Sequence, residues 1–139
     1  MTRERLTPHF TVEEFDCHDG TRVPELAVAR YRALCTFVLE PLRRRYGRCD
    51  VVSGYRDPSY NQRIGGARAS AHMCGQGGGI HAVAADVRFE TGAPDDWARS
   101  AEPLLKRRYG GGGLGVYPGL GGWVHLDDRS WRARWRGAA

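Results

Sequence analysis

Apolar residues recur at Leu26, Ala27, Val28, Tyr31, Leu34, Cys35, Phe37, Val38 and Leu42, the three-to-four spacing of a helix with one buried face. The stretch from Pro24 to Tyr46 is therefore predicted to be the main helix. Pro41 lies inside that pattern and is expected to bend or restart it, and Gly47 offers the left-handed residue that ends it. Cys49 to Ser53 reads as a short strand. The turn-rich stretch from Arg56 to Ser70 has room for one short helix, around Ser59 to Ile64, begun by Asp57-Pro58. Four glycines between Gly75 and Gly79 predict a loop. Ala82 to Phe89 alternates like a strand, and Pro94 to Tyr109 carries Trp97, Ala101, Leu104 and Leu105 at helical spacing. Leu114 to Tyr117 and Trp123 to Asp127, joined through Pro118-Gly119 and Gly121-Gly122, predict a hairpin. The plan is an α+β fold, a small antiparallel sheet with flanking helices, expected as one domain over residues 1–139.

Composition narrows this only a little. With 139 residues, 41% apolar and 27% charged, the chain suits a folded globule and excludes disorder as the main state. It holds no apolar run near the roughly 18 residues of a membrane span, and its start, Met1-Thr2-Arg3-Glu4-Arg5-Leu6, lacks the apolar core of a signal peptide. No membrane partner is expected, and no export route is expected to be encoded in these residues. Lys106 is the only lysine among 21 basic residues, so the net charge of +5 comes from dispersed arginines. That charge would suit nucleic acid or the phosphate and carboxylate polymers of a bacterial wall. The dispersal and the lack of any DNA-reading motif argue against a nucleic-acid partner. Cys17, Cys35, Cys49 and Cys74 show no CxxC spacing and read as isolated thiols rather than a disulfide framework.

Three polar groups stand in glycine-rich or strand-edge surroundings: Ser70-Ala71-His72, Ala84-Ala85-Asp86 and Val124-His125-Leu126-Asp127. Two imidazoles and one carboxylate leave the fourth position of tetrahedral zinc open, the arrangement that polarises a water and a substrate carbonyl. Sets of this kind also arise by chance, so spacing alone does not decide the matter.

The same residues carry a resemblance. Ser53-Gly54-Tyr55-Arg56-Asp57-Pro58-Ser59-Tyr60-Asn61, then Gly65-Gly66-Ala67, Ser70-Ala71-His72, Ala84-Ala85-Asp86 and Val124-His125-Leu126-Asp127 follow one another as in the zinc D-Ala-D-Ala carboxypeptidase family, which includes related wall endopeptidases. His9-Phe10-Thr11, Glu14-Phe15, Leu39-Glu40-Pro41-Leu42-Arg43 and Arg134-Trp135 extend the likeness over nearly the whole chain. The resemblance implies the hedgehog/D-Ala-D-Ala peptidase-like fold, Zn2+ as cofactor, and His72, Asp86 and His125 as its ligands. It also implies that Arg56 sits beside the metal and holds a substrate carboxylate or carbonyl, a task for its forked guanidinium.

The chain departs from the family pattern in two places. Thirteen residues separate His72 from Asp86 where the family usually has six, and the surplus falls around Gly77 to Val83. A glycine-rich loop can swell outward between fixed anchors, so both ligands are expected to stay in place; His81 replacing or supplementing His72 is the other arrangement. Cys74 is near enough to compete for zinc, though burial as a small apolar residue suits it better. The acidic residue that some relatives carry three positions before the last histidine is Gly122 here. Asp127 lies two residues beyond His125 on the same strand and so faces the same side; it is expected as the base that takes a proton from the attacking water, or as the carboxylate that orients His125. Ser70 and Tyr55 are expected to contact substrate, Ser70 otherwise bonding the ligand loop and Tyr55 and Tyr117 otherwise packing. Trp123, Trp131 and Trp135 read first as packing, and His9 and His18 as surface or capping histidines.

These readings predict a zinc metallopeptidase, probing as a monomer the stem peptides of peptidoglycan and hydrolysing them as a carboxypeptidase or an endopeptidase, with the cell wall as its place of action. The alternative is a wall-binding module that keeps zinc and has no catalysis.

Overall fold

A computed structural model describes residues 4–137. The main helix forms as α1 (Glu25–Leu34) and α2 (Glu40–Tyr46), joined without a break by a π-helical turn at Cys35–Leu39. Pro41 explains the turn. It has no amide hydrogen, and its ring would press on the carbonyl four residues back, so the wider π turn absorbs the misfit and α2 restarts with Pro41 in its first turn. Gly47, at φ 87°, ends it.

One sheet organises the molecule. Strands β3 (Cys49–Ser53), β4 (Ala84–Phe89), β5 (Gly113–Tyr117), β6 (Trp123–Asp127) and β7 (Ala133–Arg136) lie in the order β3-β4-β6-β5-β7. Neighbours are antiparallel except β5 and β7, which run parallel. The expected antiparallel sheet thus gains a parallel edge strand that the hydrophobic pattern did not announce. Its residues, Ala133-Arg134-Trp135-Arg136, are held by ion pairs instead: Arg134 forks onto Glu102 at 2.8 Å by two nitrogens, and Arg136 reaches Asp95 at 2.8 Å. A second, two-stranded sheet near the N-terminus pairs β1 (Arg5–Thr7) with β2 (Phe10–Thr11).

Alternation divides the main sheet into two faces. Ala85, Val87 and Phe89 of β4, with Val124 and Leu126 of β6, turn to the core, where Tyr31, Leu34, Val38, Leu42, Trp97 and Leu105 meet them. The last two belong to α4 (Pro94–Tyr109), which begins with Asp96 accepting from the Ala93 amide and ends at Gly110, φ 78°. Tyr31, fully buried, donates to the Ala84 carbonyl at 2.7 Å and so ties α1 to β4. The other face of β4 and β6 presents Asp86, Trp123, His125 and Asp127. Between β3 and β4 lie α3 (Pro58–Arg63), capped by Asp57, which accepts from the Tyr60 amide, and two 3-10 turns, Ala71–Met73 and Gln76–Gly78. Among the described residues, no helix is long and apolar enough to cross a membrane.

Candidate metal centre

Sheet register brings the first two candidate ligands together. Asp86 of β4 pairs directly with His125 of β6, and the same transverse row continues through Gly115 of β5 to Trp135 of β7. Gly115 is small for a reason visible in that row. A Cβ there would collide with the Trp135 indole, which folds across the glycine to lie 4.9 Å from the His125 ring. Gly113 does the same for Asp127, whose carboxylate fills the space a side chain would need.

His72 arrives differently. It sits in the 3-10 turn Ala71–Met73, where the Ser70 hydroxyl accepts from the His72 amide at 3.1 Å. Its Nδ1–H donates to the Gly54 carbonyl at 2.6 Å, which leaves Nε2 as the free lone pair. That Nε2 lies 3.3 Å from Asp86 Oδ1, and His125 Nδ1 lies 3.1 Å from the same oxygen. The three candidate ligand atoms fall within 4.8 Å of one another, and all three side chains are buried.

This donor set fits a divalent ion. Ligand atoms about 2.0–2.1 Å from a tetrahedral metal stand roughly 3.3 Å apart, close to the separations seen here. Both imidazoles also have their second nitrogen fixed by an acceptor: Gly54 for His72, and Asp127 for His125, whose Nε2–H donates to Asp127 Oδ2 at 2.7 Å. Burial alone would raise the Asp86 carboxyl, but His72 and His125 outweigh it and hold that carboxyl well below the usual carboxylate range. The two histidines diverge. Desolvation lowers His72, whereas for His125 the hydrogen bonds to Asp127 and Asp86 together overcome desolvation and raise it.

Asp127, expected as a base or as an orienting carboxylate, lies behind His125 rather than in the cleft. It is fully buried, and Arg129 grips it side-on through Nε at 2.8 Å and Nη2 at 2.7 Å. The Gly113 amide donates to it as well, at 3.0 Å. Burial would raise its carboxyl, but His125 and Arg129 hold it well below the usual range. Both oxygens are committed to donors of the chain itself, and Asp127 does not line the cleft.

The cleft over the candidate ligands measures about 380 Å³ and is lined by Arg56, Ser70, Tyr117, Trp123, Arg129 and Trp135 beside the triad, with Ile80 and small loop residues completing it. Arg56 donates to Ser53 Oγ at 3.2 Å and stands 3.6 Å from Asp86 Oδ2. Ser70 lines the cleft, but its oxygen accepts from the ligand turn. Tyr55 does not line it: the ring is buried and its hydroxyl donates to Gln76, pinning the glycine-rich loop, so the expected substrate contact is corrected to a structural one. His81 is exposed on that loop and outside the ligand cluster, and Cys74 stays outside it too; all four cysteines are free thiols. His9 pairs with Glu40 at 2.8 Å and His18 lies beside Tyr60. Sequence reasoning did not single out Arg129 and read Trp135 first as packing. The one available signal for Arg129 was its two-residue spacing from Asp127.

The family model for Peptidase M15 matches residues 8–127, which contain the three candidate ligands, Arg56 and Asp127 but not Arg129 or Trp135. The chain belongs to the M15 peptidases, the family of the zinc D-Ala-D-Ala carboxypeptidases. No curated protein and no solved structure matches it. M15 peptidases are metal-dependent and act on peptides, and this member carries the His-Asp-His set that such a metal needs. The longer loop between His72 and Asp86 does not separate the two: it closes on itself through the Gly79 amide, which donates to Gln76, and the Ile80 amide, which donates to Ala69.

Proposed function

We propose that this M15 peptidase hydrolyses peptidoglycan stem peptides with zinc held by His72 Nε2, His125 Nδ1 and one oxygen of Asp86. The observation that carries the reading is the convergence of those atoms at ligand spacing, each imidazole locked by an acceptor on its far side. Zinc bound there would act as a Lewis acid and lower the pKa of its water toward neutrality.

The chain's own groups supply the rest. Arg56, beside Asp86, holds a peptide carbonyl or carboxylate by its forked donors, and in the reaction it faces the oxygen on which negative charge develops. Tyr117 has a defined proton. Its oxygen accepts from Trp135 Nε1–H at 2.9 Å, and since indole can only donate, the phenol hydrogen is free to donate to substrate. Tyr117 also stacks on Trp123, with ring centroids 5.0 Å apart, which fixes its angle. Asp127 and Arg129 keep His125 in the tautomer that presents Nδ1.

A second reading has one observation in its favour. Asp86 is the only carboxylate among the described residues lining the cleft, so a wall-binding module that keeps zinc without turnover would look the same. One experiment separates the two. Purified, metal-loaded protein is incubated with peptidoglycan, and released peptides are quantified alongside metal content for wild type, His72→Ala and His125→Ala. The peptidase reading expects turnover that falls at least a thousandfold, together with loss of bound metal, in both variants and after chelation. Metal binding and wall affinity with no peptide released would establish the binding module instead.

A further inference from the structure

Arg56 and Arg129 stand at the two ends of one chain of charges. Arg56 meets Asp86, Asp86 meets His125 Nδ1, His125 Nε2 meets Asp127, and Asp127 meets Arg129. Each end of the chain lies in the lining of the cleft, while Asp127 is sealed beneath it. The two arginines and two carboxylates cancel, so a divalent ion leaves the centre with a surplus of two positive charges. A substrate bearing negative charge would balance them.

Arg129 has the means to hold such a charge. Its Nε and Nη2 face Asp127, but Nη1, on the other side of the guanidinium carbon, has no hydrogen-bond partner among the described residues and is not sealed from solvent. The side chain is held in place. Its guanidinium carbon lies 5.4 Å from the Trp131 ring and 5.4 Å from the Trp135 ring. Clamped by a carboxylate and two indoles, it would lose little freedom on binding a ligand. Trp135 in turn is the residue that covers His125, so Arg129 belongs to the cleft wall next to the candidate metal ligands.

We propose that Arg129 is a specificity-determining residue whose Nη1 binds a carboxylate of the substrate, so that the cleft selects peptides carrying a free carboxylate within reach of the scissile bond. The substrate class rests on the peptidase reading above, but the recognition does not require turnover and is tested by binding. The probes are a stem-type pentapeptide with a free glutamyl α-carboxylate and a free C-terminus, and its two mono-amides, each with one of those carboxylates converted to a carboxamide. Their dissociation constants are measured by calorimetry on zinc-saturated wild type, Arg129→Lys and Arg129→Gln. Lysine keeps Asp127 paired but spends its one nitrogen there, so it preserves the centre and removes the second donor; glutamine removes both.

Wild type is expected to bind the diacid at least tenfold more tightly than one of the mono-amides, and Arg129→Lys to bring that ratio within twofold. A ratio that stays tenfold in Arg129→Lys, or a wild type indifferent to both amides, overturns the proposal even if Arg129→Gln fails to fold. Absence of peptide release with the ratio and its Arg129 dependence intact would sink the peptidase reading and leave this one standing.

Discussion

The two histidines of the candidate metal centre are held by different kinds of structure. His125 sits on a central strand, flanked by hydrogen-bonded neighbours on both sides, and is backed by the buried Asp127–Arg129 pair. His72 sits in a three-residue turn beside a glycine-rich loop, held by the Ser70 hydroxyl, the Gly54 carbonyl and the Arg56 amide, which donates to the His72 carbonyl at 2.8 Å. On the strand side, position follows from a register that slips only by turning every side chain to the other face. On the loop side it follows from three hydrogen bonds, to Ser70, Gly54 and Arg56, and the chain that follows His72 is free to vary in length. That difference explains how the thirteen residues between His72 and Asp86 leave the two side chains 3.3 Å apart.

Asp127→Asn probes the strand side and is expected to have the largest effect. It leaves Arg129 buried without its anion and lets the His125 ring turn, costing about 3–5 kcal/mol of stability and about 10–100-fold in metal affinity. Denaturant unfolding and competitive metal titration measure the two. Turnover that collapses while stability and metal affinity stay at wild-type values would make Asp127 the proton acceptor and erase the contrast drawn above. The acid side of the stability curve gives a second reading. Asp127 has a folded pKa depressed below its unfolded value of about 4, so its contribution is complete above that pH and is lost as pH falls through the folded value. In Asp127→Asn that acid slope is expected to be shallower.

On the loop side, Ser70→Ala removes the hydroxyl that caps the His72 turn and is expected to cost about 1 kcal/mol, with metal affinity reduced only a few-fold. An effect as large as that of Asp127→Asn would show that the loop is as firmly specified as the strand. The smallest change is expected for Gly78→Ala. Its φ of 81° strains an alanine by about 1–2 kcal/mol, but a Cβ there meets nothing within 4 Å, so metal affinity should be unchanged in the same titration.

Much of this was legible in the residues themselves. The three-to-four spacing from Leu26 to Leu42 produced the main helix, and alternation ending at Phe89 and Asp127 produced β4 and β6. Pro41 marked the discontinuity, though its resolution as a π turn depended on packing. The motif order around His72, Asp86 and His125 named the ligand candidates. β7 was invisible because its Arg-Trp-Arg alternation carries little apolar signal, and the partners that hold it, Glu102 and Asp95, lie about 30 to 40 positions away in the chain.

The sequence by itself determined which chemical groups could bind a divalent ion, because imidazole and carboxylate are properties of side chains and their motif order is one-dimensional. Only the tertiary structure decided what surrounds Asp127. Period-two alternation placed it on the face of His125, and nothing local could say that Arg129 and Gly113 would enclose it there. Whether a carboxylate accepts a proton from solvent or steadies an imidazole depends on burial and on partners brought in by other strands, and those are fixed only when the sheet closes.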